Sequence, residues 1–207
     1  PRPDPARGRP VTGHDAGTAT DVPAAYLALR DDAVAALEAW QAPDAGQEQW
    51  RREFLELCAA HPDALWKQGP PQHLTTGAIV LNPSLDRVLL THHRKAGMWL
   101  QFGGHFEPQD ASVHAAATRE AREESGLPDL VLDPRIVELH RHSLVAAAFG
   151  RCAEHLDIRY AGVVPDDAGY AVSEESLDVR WWPADELPAE SAHEIGPMVQ
   201  AARRLLG

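Results

Sequence analysis

Three glutamates set within five positions are the residues of this chain best suited to chemistry. Glu120, Glu123 and Glu124 lie in "GGHFEPQDASVHAAATREAREESGL", residues 103–127. At about 100° per residue, an α-helix projects all three from an arc of roughly 100°. Left in water, such like charges repel by roughly a few tenths of a kcal/mol per pair. A hard divalent cation reverses that sign. Mg²⁺ or Mn²⁺ takes oxygen ligands, retains water and bridges to phosphate oxygens, so a carboxylate face beside a glycine-rich approach suits metal-assisted attack on phosphorus. Gly103 and Gly104, having no side chains, let the backbone come close to metal or substrate. The plainer reading of the same residues is a solvated acidic face paired with Arg119 and Arg122. The glycine pair before the helix and the glycine stop behind it favour the chemical reading.

Carboxylates placed this way need a strand, a loop and a helix in succession. The helix is predicted from about Ser112 to Ser125, capped by Asp110 or Ser112 and stopped by Gly126, Leu127 and Pro128. Upstream, "LTTGAIVLN" and "RVLLTHH" flank the turn signal "PSLD" and predict a hairpin, with "MWLQF" a third strand running into Gly103. Downstream, "RIVELHRHSLVA", "HLDIRYAGVV" and "LDVRWWP" predict three more strands. A last helix from Gly196 to Leu206 carries Met198, Val199, Ala202 and Leu205. Strands joined by hairpins and mixed with helices give an α+β class, a mixed α/β sandwich rather than a doubly wound sheet.

Ahead of this main domain, residues 71–207, two amphipathic helices are predicted over a 21–70 extension. One carries Leu27, Val34 and Leu37; the other carries Trp50, Phe54, Leu57 and Cys58. Their apolar faces must cover the main domain or a second copy of it, which makes a homodimer one expectation. Residues 1–20, rich in Pro, Gly and small polar residues, predict a flexible tail.

The formal charge of −12 over 207 residues, with basic residues scattered, argues against a nucleic-acid polymer as partner. The longest apolar runs fall far short of a bilayer span and the N-terminal region has no apolar signal segment, so a cytoplasmic, membrane-free protein is expected. Cys58 and Cys152 lie far apart without the short spacings of a zinc site and read as reduced core thiols.

Gly104, Arg119, Glu120, Glu123, Glu124, Gly126 and Leu127 resemble the signature of the Nudix hydrolase family: a glycine, a carboxylate, then Arg-Glu-x-x-Glu-Glu-x-Gly and an apolar residue. Two departures stand out: Asp110 occupies the usual Glu position, and one extra residue separates it from Arg119. In the family that carboxylate braces the loop by pairing with the arginine, so the departures bear on loop geometry more than on catalysis. The resemblance implies a Nudix-like mixed sheet packed between helices. It implies that Glu120, Glu123 and Glu124, with the Gly103 carbonyl, hold one to three Mg²⁺ ions, Mn²⁺ being the alternative. It further implies a pyrophosphohydrolase in which water attacks a phosphorus of a nucleoside diphosphate linked to another moiety, a carboxylate taking the proton. Some members draw the base from a later loop; Glu174 and Glu175 in "VSEESLDVRWW" are the candidates here, against plain loop charge. A Nudix-fold sensor that binds a nucleotide metabolite without turnover is the alternative, disfavoured by retention of all three glutamates. An isomerase of prenyl diphosphates is a third, disfavoured because neither cysteine is near the motif in sequence.

The eleven histidines show no zinc-type helix spacing. His155, Asp157 and Arg159 alternate on one strand face opposite Leu156, Ile158 and Tyr160. They are read as a polar outer face or, if that face borders the metal, as substrate contacts. His105, inside the glycine loop, could touch a phosphate or brace the loop. Of Trp181 and Trp182, one is expected in the core and the other as a stacking platform or a cover for a helix.

Overall fold

A computed structural model describes residues 22–144, 150–174 and 176–207. The proposed tail, Glu175 and the end of the strand expected from "RIVELHRHSLVA" lie outside them. The described chain runs α1 (Ala24–Ala39), α2 (Ala45–Ala60), β1 (Gln72–Leu81), β2 (Arg87–His93), β3 (Met98–Leu100), β4 (Phe102–Gly104), α3 (Val113–Ser125), β5 (Glu138–Ser143), β6 (Glu154–Val163), β7 (Ser176–Pro183) and α4 (Ile195–Leu206). This is the α+β arrangement expected, a mixed sheet between helices. None of its helices is long and apolar enough to cross a membrane, among the described residues.

β1 is the centre of the sheet and pairs in parallel with β6 along its whole length, from Gln72 opposite Glu154 to Leu81 opposite Val163. Its other edge is shared. Val80 and Leu81 pair antiparallel with β2, whereas Thr76, Gly77 and Ala78 pair with Gly104, Gly103 and Phe102 of β4. "MWLQF" is therefore two strands and not one. Met98–Leu100 pairs with β2, the chain changes partner at Gln101, and Phe102 begins the pairing with β1. That change delivers the glycine pair to the middle of the sheet.

Both faces of the sheet are covered, because its strands alternate apolar side chains to two separate clusters. Leu74, Ala78 and Val80 of β1 and Leu156, Ile158 and Tyr160 of β6 join α1, α2 and α3 in one cluster. Ile79 and Leu81 of β1 join Ile195, Met198, Val199 and Ala202 of α4 in the other. The two tryptophans of β7 follow the same rule: Trp181 packs into the first cluster and Trp182 against the second, edge-on to Trp99. Both thus face inward, on opposite sides, where only one was expected to be core; Trp182 is the helix cover.

The apolar stripes of the extension are used within the chain. Leu29, Ala33 and Leu37 of α1 and Phe54 and Cys58 of α2 are buried with Ala116, Ala117 and Ala121 of α3. Polar ties lock this packing. The Trp40 indole N–H donates to the Ile136 carbonyl (3.0 Å), and the Gln47 side chain both donates to and accepts from the Leu139 backbone (3.0 and 2.7 Å). Of the two partners expected for these helices, the main domain is the one they cover.

Candidate functional site

Helix α3 starts where its local sequence dictates. The Ser112 side chain accepts from the Ala115 amide at 3.0 Å, an N-cap worth about 1 kcal/mol. A second cap comes from the extension: the Asp32 carboxylate accepts the Val113 amide at 2.7 Å, satisfying another orphan donor at the positive end of the helix. At the other end, Gly126 takes the left-handed conformation at φ 68°.

The glutamates project from this helix toward the glycine pair. A Cβ at Gly104 would fall 2.6 Å from a Glu120 carboxylate oxygen, so the missing side chain is the space this carboxylate occupies. Gly103 has φ 154°, and a Cβ there would meet the Thr76 carbonyl oxygen at 2.4 Å; its bareness is what lets β4 lie against β1. The Gly103 amide donates to Glu124 at 2.9 Å, and Glu124 is only 6% exposed. Glu123, with its side chain 60% exposed, stands at the open edge. It borders an open groove shared with Arg119, Arg122, Gly126 and Pro128.

Arg119 organises the rest. Its guanidinium grips Asp110 through two bonds (2.8 and 3.1 Å), donates to the His105 carbonyl (3.0 Å) and reaches Glu120 and Glu123 at 3.1 Å each. Asp110 in turn accepts the Glu107 amide at 2.8 Å. The shorter carboxylate and the extra residue thus still brace the loop. Burial disfavours the charge of Arg119, but the Asp110 hydrogen bond and the charges of Glu120 and Asp110 outweigh it and hold its pKa above the usual value. Glu120 is pushed up to about 7, first by burial; Arg119 opposes the shift, and the charges of Glu123 and Glu107 add to it. Arg122 does not pair with the glutamates as the surface reading required. It donates to the Leu130 carbonyl at 2.7 Å and ties down the turn behind the helix.

Glu174 lies in an exposed turn before β7, on a segment whose Ala171 amide donates to the Ser125 carbonyl at the end of α3 (2.8 Å). The Glu174 carbonyl also accepts from Arg94 Nε at 3.2 Å, so the backbone of this segment is held at both ends.

The expected outer face of β6 is internal. Arg159 is 0% exposed and Asp157 3%. Arg159 donates to Asp157 (2.9 and 3.1 Å) and Glu138 (3.1 Å), lies 3.0 Å from His140 Nδ1 and 3.7 Å from Glu194, while Thr75 donates to Asp157 at 2.6 Å. Alternation told which residues share the face. It could not tell that neighbouring strands would turn their own polar residues onto it: His73 and Thr75 from β1, and Glu138, His140 and His142 from β5. Burial disfavours ionised Asp157, but Arg159, His142, the Thr75 hydrogen bond and His155 together outweigh it and hold Asp157 below the usual carboxylate range.

His105 does not point toward the glutamates. Gly104 abuts Glu120 on the α3 side, and the next side chain alternates to the other face, where its Nε2 lies 3.1 Å from His73 Nε2 and 3.9 Å from Cys152 Sγ. His155 completes the group, its ring centroid 4.9 Å from that of His105 and 5.1 Å from that of His73. Burial lowers the pKa of all three imidazoles, to about 3 for His105 and about 4 for His155, so they are neutral at pH 7. Cys152, expected as an isolated core thiol far from the motif, is brought beside the glycine loop by the fold. Positions 73, 105 and 152 lie far apart in the chain; the signals available were the one short spacing, Cys152-x-x-His155, and the repeated alternation of "QHLT" and "EHLD" on adjacent strands.

Comparison with known proteins agrees with this geometry. Residues 71–202, more than half of the chain, match the family model of the NUDIX domain. Among solved structures, the chain resembles the E. coli dihydroneopterin triphosphate pyrophosphohydrolase (16% identity, covering 63% of this chain and 95% of that one, TM-score 0.53). It also resembles the MutT protein from Methanosarcina mazei Go1 (19%, 66% and 96%, TM-score 0.53) and a C. elegans Ap4A hydrolase (15%, 64% and 96%, TM-score 0.51). No curated protein matches at a significant level. A glycine pair fitted to a glutamate helix, on a sheet whose main domain is matched almost from end to end, makes the chain a member of the Nudix family, hydrolases that act on phosphoric anhydrides.

Proposed function

We propose that the chain hydrolyses the diphosphate bond of a nucleoside diphosphate linked to a further moiety, with Mg²⁺ or Mn²⁺ held by Glu120, Glu123, Glu124 and the Gly103 carbonyl. The observation that carries this reading is the fit of Glu120 into the space left by Gly104. The donors suit a hard divalent ion, being carboxylate and carbonyl oxygens. Their electrostatics suit it too: Glu120 is buried enough to be pushed up to about 7 with Arg119 as its cation. When bound, such an ion neutralises phosphate oxygens and lowers the pKa of the attacking water.

The chain's own residues supply the frame. Arg119 and Asp110 fix the loop between β4 and α3, Glu124 holds the Gly103 amide, and Glu123 faces the groove where an anionic substrate would lie. Glu174, or Glu175 beside it, is proposed as the base that takes the proton from water, because its segment rests on the end of α3. His105, His155, Asp157 and Arg159 are assigned an indirect part, holding the glycine loop from the far face of the sheet, because the charged pair is enclosed and the two rings pack edge-on against each other.

The test is turnover of a panel of nucleoside triphosphates, oxidised nucleotides, ADP-ribose, nucleotide sugars, dinucleoside polyphosphates and a pterin triphosphate, read by chromatography of the nucleotide or phosphorylated products, or by phosphate release after added pyrophosphatase and phosphomonoesterase. Mg²⁺-dependent hydrolysis of at least one, abolished by excess EDTA, is expected. Full activity in EDTA refutes the metal assignment. Binding without turnover across the panel replaces the hydrolase by the nucleotide-metabolite sensor.

A further inference from the structure

We propose that His73, His105, Cys152 and His155 form a second metal site, a closed tetrahedral N₃S site for Zn²⁺, on the face of β1 and β4 opposite the glutamates. One ligand atom from each of the four residues lies within 4.8 Å of all the others. Zinc bonds of about 2.0–2.1 Å to nitrogen and 2.3 Å to sulfur put tetrahedral ligands about 3.3 Å apart for two nitrogens and about 3.6 Å for nitrogen and sulfur. The separations here are 3.1 Å between the Nε2 atoms of His73 and His105, and 3.9 Å from His105 Nε2 to Cys152 Sγ.

The hydrogen bonding is that of ligands more than of a self-sufficient polar cluster. His155 Nε2 is buried with no hydrogen-bond partner among the described residues. His73 Nδ1 lies 2.9 Å from the Pro70 carbonyl, which can only accept, so Nδ1 carries the proton and Nε2 turns its lone pair toward His105. A metal-bound histidine is oriented by the same kind of bond from its remote nitrogen. Cys152 is buried, and the turn that carries it is tied to the start of β1 by the Ala153 amide, which donates to the Pro71 carbonyl at 2.8 Å. Binding would release the thiol proton and leave thiolate and neutral imidazoles as donors.

Three nitrogens and a sulfur select a borderline metal over Mg²⁺, whereas the glutamate face selects the reverse. Four protein ligands leave no open position, which makes the site structural. It would clamp the first residues of β1, the turn into β6 and the residue after Gly104, thereby holding the glycine loop from behind. This reading is independent of which substrate, if any, the glutamate face serves.

The experiment uses the full chain, produced without a polyhistidine tag and dialysed against Mg²⁺ buffer to clear the carboxylates. About one retained zinc per chain is expected by elemental analysis. After its removal, Co²⁺ titration should give the intense visible bands of tetrahedral cobalt and a thiolate-to-cobalt charge-transfer band in the near ultraviolet. Cys152→Ser should lose the charge-transfer band, His155→Gln should lose metal through dialysis, and Cys58→Ser should keep both. The charge-transfer band cannot come from the glutamate face, which has no sulfur. Wild-type protein with neither retained zinc nor that band overturns the proposal, a result that requires no variant to fold. So does a band that survives Cys152→Ser and disappears in Cys58→Ser.

Discussion

Replacing Gly104 by Ala tests whether the glycine pair serves the glutamates or the sheet. The new methyl group would lie 2.6, 2.8 and 2.9 Å from the Oε1, Cδ and Oε2 atoms of Glu120 and meet no closer backbone. To restore an ordinary contact of about 3.4 Å, the carboxylate must withdraw by about 0.8 Å, which its flexible side chain can do by leaving its rotamer at about 0.5–1.5 kcal/mol. The 3.1 Å bond from Arg119 to Glu120 is broken or bent in the process. Losing that charged bond costs about 1.5 kcal/mol and removing a glycine returns about 0.4–1 kcal/mol through the unfolded state, so the net loss is about 1–2 kcal/mol, or roughly 2–8 °C in Tm for a domain of this size. Turnover should suffer far more, since a displacement near 1 Å at a reacting centre costs about 10²-fold. Gly103→Ala is the contrasting variant. Its methyl would sit 2.4 Å from the Thr76 carbonyl and 2.9 Å from the Gly77 Cα, both backbone, so β4 must part from β1 and stability and turnover should fall together. Thermal melts beside Mg²⁺-dependent turnover decide. Gly104→Ala with near-normal kcat/KM would show that the fit of Glu120 into the glycine gap is not functional.

Glu123→Gln should reduce turnover by orders of magnitude while leaving metal-free stability within about 0.5 kcal/mol, because the side chain is exposed and its ion pair with Arg119 is worth little; near-normal turnover would return the helix to an ordinary solvated face. Glu124→Gln should lose activity equally but also lower the Tm, since the buried carboxylate is the acceptor of the Gly103 amide and an amide accepts less strongly; an unchanged melting curve would contradict that bond. Asp110→Asn should cost about 2–4 kcal/mol, because a two-bond pair to a largely enclosed arginine is broken; a loss under 1 kcal/mol in denaturant titration would show that other contacts brace the loop. In chelator, Glu120 binds its proton more tightly folded than unfolded, so its contribution is full below about 4.5 and is lost as pH rises through about 7. Metal-free wild type should therefore lose stability across that interval relative to Glu120→Gln, and parallel stability–pH curves would refute the shift.

What could be read from the sequence was whatever is fixed locally. Ser112, Gly126 and the apolar spacing of α1, α2 and α3 act within a few residues of themselves, so helix bounds and the glutamate face were legible. The partner change at Gln101 was not, because it depends on β2 leaving β1 after Leu89 while β1 still has a free edge, a relation between segments far apart in the chain. The polar face of β6 failed for a related reason. A period of two sorts residues into faces, but what covers a face comes from β1, β5 and Glu194, and a fully enclosed Arg159 satisfied by Asp157 and Glu138 looks in sequence like a solvated alternation. The histidine and cysteine cluster draws on three separate segments, and its one short spacing, Cys152-x-x-His155, does not by itself reveal His73 and His105.

The extension shows how distant sequence can act on the carboxylate face without touching it. Asp32 caps α3 at Val113, two turns before Glu120, and Tyr26 reaches the Phe106 carbonyl in the loop that Arg119 also holds. The helix carrying the three glutamates is thus fixed at its start by α1, along its alanine face by α1 and α2, and at its arginine by Asp110. A helix of 13 residues with so many small and charged side chains would be marginal alone. Its rigidity comes from these neighbours, and rigidity is what the proposed cation site requires, since three mutually repelling carboxylates on a flexible segment would not hold one geometry.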